Sequence, residues 1–251
     1  MTRSRTAIEN RIYRRTGTAI RDYDLIHAND RILVAVSGGV DSWTLLHVLQ
    51  HFRSVSPIPF ELVPVTINPG FPEFQTDVIE TGFRRLAPDL PWRIVSSSID
   101  HTIRTRNTPG KYPCAFCARL RRGALYRVAT ELGCNRIALG HHADDAVETA
   151  LISALSEGNL VSLPPRLHVT NRSIIVIRPL IRIWKTEILE YAASLCFPIT
   201  DCGHQAESGN MRNYVRDLLQ QIDQERPGAR YNLLAALHHI NPTHFLDTRW
   251  L

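Results

Sequence analysis

The sequence predicts an α/β protein built on a doubly wound, mostly parallel sheet, and three observations carry that reading. Short apolar runs alternate with helical apolar spacing along most of the chain, the pattern of a parallel sheet covered by helices on both faces. The run Ile32-Leu-Val-Ala-Val36 passes through a glycine-bearing turn, Ser37-Gly-Gly-Val-Asp-Ser42, straight into a helical pattern. A second run, Arg136-Ile-Ala-Leu139, is followed by Gly140-His-His-Ala-Asp-Asp145. Ligands of open sheets lie beyond the carboxyl ends of the strands, where both segments would fall.

Taken in order, residues 1–24 read as a basic amphipathic helix. Strands are expected at Arg31–Val36, Glu61–Ile67, Trp92–Val95, Arg136–Leu139 and Ile174–Ile177, each a short apolar run. Helices are expected between them at Ser42–Phe52, Phe74–Leu86, Cys117–Leu132, Asp144–Leu155 and Ile183–Leu195, from spacings of three and four. Proline, glycine and asparagine mark loops at Asn68–Pro72, Arg106–Lys111, Leu163–Pro165 and Thr200–Asn210. From Arg212 the tail reads as one or two further helices, broken at Pro227-Gly228 and Asn241-Pro242. The expected organisation is a basic N-terminal helix (1–24), an ATP-binding α/β domain carrying a Cys-x-x-Cys helix (25–200), and a C-terminal loop and helical segment (201–251). No internal repeat or low-complexity segment interrupts it.

Composition narrows the class. A chain of 251 residues, 44% hydrophobic and 21% charged, buries a sizeable core. No apolar run approaches a membrane span, and no apolar signal core follows Met1-Thr-Arg-Ser-Arg5, so no membrane role and a cytoplasmic location are expected. Five cysteines without evenly placed pairs fit a reducing compartment better than a disulfide scaffold. The net charge of +5 is modest, but its distribution is not. Arg3, Arg5, Arg11, Arg14, Arg15 and Arg21 stand against Glu9 alone, and residues 103–128 hold six arginines and Lys111 with no acid. A charge run is usually a solvated face. This second run encloses a Cys-x-x-Cys, which points to a surface for a polyanion.

Three constellations bear chemistry. In Ser37–Ser42, Gly38 and Gly39 admit an anion close to the backbone, the following helix supplies unpaired N–H groups, and Ser37 and Ser42 add hydroxyls. The turn lacks the Gly-Lys-Ser/Thr ending of a Walker loop and resembles instead the SGGxDS loop of the PP-loop ATP pyrophosphatases. Asp144 and Asp145 follow Gly140 and His141; they are either helix-capping acids or hard oxygen ligands for Mg²⁺, an ion Asp41 would share. Cys114 and Cys117, at i and i+3, place two sulfurs on one side of a helix, too few for a complete soft-metal site. Cys202, in Asp201-Cys-Gly-His-Gln205, is the candidate third ligand, while Cys134 and Cys196 read as small core residues. Zinc on three cysteines and His204 competes with a cluster, and a redox disulfide is a further alternative.

Together with Pro69–Glu73, Gly110–Tyr126, Ala138–His142, Ile177–Leu180, Cys202–Gln205 and Asn241–Asp247, these segments resemble the tRNA 2-thiocytidine synthetase (TtcA) family over nearly the whole chain. The resemblance implies a PP-loop, adenine-nucleotide α-hydrolase-like fold. It implies ATP-dependent sulfur transfer to C2 of cytidine 32 in the tRNA anticodon stem-loop, through an adenylated base. It implies a [4Fe–4S] cluster on Cys114, Cys117 and Cys202, with one iron open to sulfur. The nucleotide site maps to Ser37, Gly38, Gly39, Val40, Asp41 and Ser42, with Gly140 and His141 beside it, and Asp41 and the three cysteines carry catalysis. ATP, Mg²⁺ and the cluster are the expected cofactors. Besides tRNA, a cysteine desulfurase or other sulfur donor and a homodimer are the partnerships left open. Two departures stand out: the family usually has lysine where this chain has Val40, and arginine where it has Ala143. A further cysteine often found before the third ligand is absent here, at Ile199 and Thr200. A different acceptor, a lysidine-synthetase-like ligase and a tRNA-binding protein with a degenerate ATP site are the rival readings.

Overall fold

The computed structural model describes residues 5–106, 114–170, 172–200 and 211–244. The described chain forms two compact units, one of 1–142 with 164–208 and one of 143–163 with 209–251. Expected boundaries at 24/25 and 200/201 follow motifs along the sequence; packing divides the chain differently, as set out below.

In the larger unit, α1 (Ala7–Asp22) opens on a capping box: Glu9 N–H donates to Thr6 Oγ1 at 3.3 Å, and Thr6 N–H donates to Glu9 Oε2 at 2.6 Å. Then follow β1 (Arg31–Ala35), α2 (Val40–Val55), β2 (Glu61–Asn68), α3 (Thr76–Leu86), β3 (Arg93–Ser96), α4 (Ile99–Arg106), α5 (Cys114–Glu131) and β4 (Arg136–Ala138). The smaller unit begins with α6 (Ala143–Ile152), which runs on into a π-helical turn at Ser153–Glu157. The chain returns to the larger unit with β5 (Arg166–His168), β6 (Ile175–Ile177) and α7 (Lys185–Leu195), and ends in the smaller one with α8 (Met211–Glu225), α9 (Ala229–Ala236) and a 3₁₀ turn. No helix among the described residues is long and apolar enough to cross a membrane.

The sheet order is β3-β2-β1-β4-β6-β5, parallel except that β5 pairs antiparallel with β6 at the edge. Connections lead from β1 outward to β2 and β3, then cross to β4 on the other side. The direction of winding therefore reverses between β1 and β4, the switch point at which such sheets leave a crevice. Pro64 sits in β2, between two partners, without costing a ladder bond. Val36 N–H donates to Val65 O, so Val65 faces β1 and Pro64 faces β3, whose pairing begins only at Val65.

The core is centred on β1, whose Ile32, Leu33 and Val34 are fully buried, and on Trp43 of α2. Trp43 packs against Phe83, which stacks on Trp92 at 4.4 Å. α1, α2 and α7 pack together, and the joint of α1 to α7 is electrostatic: buried Glu187 accepts from Arg15 at 2.7 Å and from Trp184 N–H at 3.0 Å. A buried ion pair, Arg136 with Asp30, ties the start of β4 to the residue preceding β1.

In the smaller unit, α6 packs on α8 and α9. α6 is thus a partner of the C-terminal helices rather than of the sheet order in which the sequence lists it. Cys134 is buried as expected. Cys196 is not a core residue: it is exposed and takes φ +50° as the left-handed cap that ends α7.

Candidate functional site

β1 delivers the chain to the carboxyl edge of the sheet, where Ser37, Gly38 and Gly39 turn it into α2. Gly39 is the N-cap of α2 and has no side chain with which to cap it, so the first N–H groups of the helix point out of the turn. Ser42 fixes the turn from inside: its hydroxyl donates to Gly39 O at 2.7 Å and accepts from Ser37 N–H at 3.2 Å. Gly38 has φ +91°, and a Cβ there would lie 2.1 Å from Thr200 Oγ1, so only glycine fits. Thr200 N–H donates to Gly38 O at 3.0 Å, closing the segment after α7 over the turn.

β4 delivers Gly140, His141 and His142 to the same edge. A Cβ on Gly140 would come within 3.0 Å of the Asp41 backbone, so the two loops approach as closely as main chains do. His142 Nε2 lies 3.8 Å from Asp41 Oδ1, and Lys185 at the start of α7 holds the Asp41 carboxylate at 2.6 and 2.8 Å. Arg178, buried just beyond β6, donates to His141 Nδ1 at 3.2 Å and to Pro164 O at 2.5 Å. Of the residues expected to bind nucleotide, Ser37, Gly38, Gly39, Val40, Asp41, Ser42, Gly140 and His141 therefore share one sheet edge. Val40 and Asp41 form the first turn of α2, Val40 with its side chain buried.

Lys185, Arg178, His142 and Thr200 complete this edge and were not among the expected site residues. Arg178 lay within a noted motif, Ile177-Arg-Pro-Leu180, at a strand end. Lys185 and Thr200 meet the turn across roughly 150 residues of sequence, and no local pattern announces such a contact.

The carboxylates and cysteines lie elsewhere. In the smaller unit, Asp144 and Asp145 form the first turn of α6; Arg230 lies 3.7 Å from Asp144 and Arg212 3.3 Å from Asp145. Glu148, one turn on, accepts from Arg216 at 3.0 Å. Cys114 and Cys117 lie on the first turn of α5, Cys117 partly buried. Cys202 and His204 lie outside the described residues. Among the described residues no group of three or more histidine, cysteine, aspartate or glutamate side chains converges to hold a metal ion. Two thiols on one turn of α5 match two corners of a three-thiolate cluster, so the donor chemistry fits such a group, with the third corner to come from Cys202.

Basic side chains divide between structure and surface. Arg11 and Arg15 are drawn to Glu187, and Arg21 to Asp22. Arg14 of α1 and Arg119, Arg122 and Arg127 of α5 are exposed.

A family model described as the PP-loop domain matches residues 8–222. A tRNA-cytidine(32) 2-sulfurtransferase of Anaeromyxobacter dehalogenans (strain 2CP-C) is 44% identical over 241 residues, covering 96% of this chain and 82% of its own. The protein of that name from Syntrophotalea carbinolica is 42% identical over 246 residues, 96% and 94% of the two chains. The U34-tRNA thiolase NcsA of Methanococcus maripaludis, solved with its [4Fe–4S] cluster, superposes with a TM-score of 0.74 over 94% of this chain and 80% of that one. At 22% identity that likeness is one of fold.

Proposed function

We infer the function from the premise that this chain belongs to the PP-loop domain family and, within it, to the tRNA-cytidine(32) 2-sulfurtransferases. It is an ATP-dependent tRNA-thiolating enzyme. The base it acts on is cytidine 32, at C2, as the relatives' name states for them. One observation supports the ATP half of this reading above the others: the Ser37–Ser42 turn meets Gly140 at the β1/β4 switch point, where a phosphate chain has backbone N–H groups on offer.

The chemistry follows from the leaving groups. Cytosine O2 attacks the α-phosphorus of ATP, and the bond from that phosphorus to the bridging oxygen breaks, releasing pyrophosphate. A poor leaving oxygen has become part of AMP. Sulfide sulfur adds at C2, and the C–O bond to AMP then breaks, leaving a 2-thio base. Gly39 and the first N–H groups of α2, with the Ser37 hydroxyl, bind phosphate oxygens in an anion site of the usual helix-terminal kind. Ser42 keeps the turn in shape. His141, oriented by Arg178, borders the same crevice. Asp144 and Asp145 are the proposed Mg²⁺ ligands, and a divalent ion there would compete with the guanidiniums of Arg230 and Arg212. A [4Fe–4S] cluster held by Cys114, Cys117 and Cys202 would supply sulfur at an iron that three thiolates leave open. A cysteine desulfurase or other persulfide source is the proposed donor, the cytoplasm the proposed compartment, and a homodimer the proposed assembly.

Anaerobically prepared protein given α-labelled ATP, sulfide and tRNA should form AMP and pyrophosphate only when tRNA is present. Nucleoside mass spectrometry should find 2-thiocytidine at position 32. Replacing Cys114, Cys117 or Cys202 by serine should abolish bound iron and thiolation while sparing ATP binding. Full modification by the serine variants would overturn the cluster assignment, and a nitrogen-bearing product would point to a ligase.

A further inference from the structure

ATP brings a chain of negative charge to a turn that has no basic residue between Ser37 and Ser42 and does carry an acid, Asp41. The family's usual lysine at position 40 is replaced by a buried valine. The cation at this mouth comes instead from α7. Lys185 Nζ donates to Asp41 Oδ1 at 2.6 Å and to Oδ2 at 2.8 Å, within the first turn of the helix whose N-terminus faces the phosphates. Both side chains keep about a third of their surface exposed, 36% for Lys185 and 32% for Asp41, so the ammonium is within reach of an incoming ligand.

We propose that Lys185 is a phosphate-binding residue of the ATP site, supplied from α7 in place of a lysine in the turn and aimed by Asp41. The proposal rests on the reading that ATP binds at Ser37–Ser42. An isolated ion pair this exposed contributes little to stability, so a fold-stabilising role gives a weak account of it. A role toward phosphate gives a stronger one. Without the ammonium, Asp41 would present an uncompensated carboxylate to an anionic ligand. An ammonium has three donors, and as a compact charge on a flexible stem it bridges a carboxylate and a phosphate oxygen together. α7 is well placed to carry it: Glu187, two residues on, is anchored to α1 by Arg15, and buried Trp184 precedes it.

Calorimetric titration of the full chain, without tRNA so that nothing turns over, tests this with two probes, ATP and pyrophosphate. Lys185→Met should weaken both by roughly 10- to 100-fold, the range of one charge-assisted hydrogen bond, with an unchanged melting temperature. Adding Val40→Lys to that variant should recover much of the loss, because it returns a cation to the turn. Adding Asp41→Asn instead separates direct contact from mere neutralisation: the double variant should stay weak. Wild-type affinity in Lys185→Met, or its full restoration by Asp41→Asn, overturns the direct contact while leaving the ATP site intact. Wild-type protein that takes up neither probe overturns the ATP reading and this proposal together.

Discussion

Ser42 and Gly38 shape the same turn by different physics, and their variants should separate accordingly. The Ser42 hydroxyl spans the turn, donating to Gly39 O and accepting from Ser37 N–H. Ser42→Ala removes both bonds but leaves the backbone conformation allowed, so stability should fall by about 1–2 kcal/mol while ATP affinity falls by more than tenfold. Gly38→Ala forces a Cβ at φ +91° against Thr200 Oγ1. Thermal melts should show the larger loss there, because the strap after α7 has to move as well. Equal losses in the two variants would mean that the turn is not held as described. The glycine requirement was legible in the sequence, since paired glycines between a strand and a helix have few other uses. Thr200 as the reason for it was not, because the contact is made in space by chain remote in sequence. The same distance hid Lys185. Cys196 was misread for a local reason: its apolar neighbours suggested a core position, but it ends a helix, and the left-handed cap turns its side chain outward.

Elements with a strong period announced themselves. β1, β2 and β4 are apolar runs, and α2, α3, α5 and α7 repeat apolar residues at helical spacing, so the sheet and its main helices could be placed from sequence. Those that went unnoticed lack a period of their own. α4 (Ile99–Arg106) is one short helix with only Ile99 and Ile103 buried, and β5 is three residues at an edge whose place comes from pairing with β6. Contacts between elements were the least legible, and the joint of α1 to α2 offers a pH test. His51 of α2 stacks on Tyr13 of α1 with ring centroids 3.9 Å apart. Burial, with a smaller contribution from the Arg5 charge, lowers its pKa below the usual 6.5, so the folded protein prefers the neutral ring. A depressed folded pKa means that protons bind the unfolded chain more readily. Stability from this site is therefore present above pH 6.5 and is lost as the pH falls through the folded value. Urea melts from pH 7.5 downward should show that decline, and His51→Phe should reduce it. An unaltered pH profile in the variant would move the titration elsewhere.

At the scale of the molecule the two compact units are the feature a linear reading misses, since α6 and α8 belong together although β5, β6 and α7 lie between them. Binary patterning states that α6 has an apolar face; it does not state which helix covers it. Net charge has the same weakness. Two arginine-rich stretches looked equivalent in sequence, but α1 uses Arg11 and Arg15 on Glu187, whereas Arg119 and Arg122 of α5 stay exposed beside the Cys-x-x-Cys. RNA affinity should therefore depend on α5 more than on α1. Each phosphate contact releases counterions worth a slope of roughly 0.7 to 0.9 in log affinity against log salt. Filter binding of tRNA at several salt concentrations should give a steep negative slope for the wild-type chain. Arg119→Ala with Arg122→Ala should flatten that slope by between one and two units. Arg11→Ala with Arg15→Ala should leave the slope nearly as it was and show itself in a lower melting temperature, because those guanidiniums neutralise a buried carboxylate. A slope that responds equally to both pairs would mean that α1 meets the RNA as well, and that its ion pairs with Glu187 open when it does.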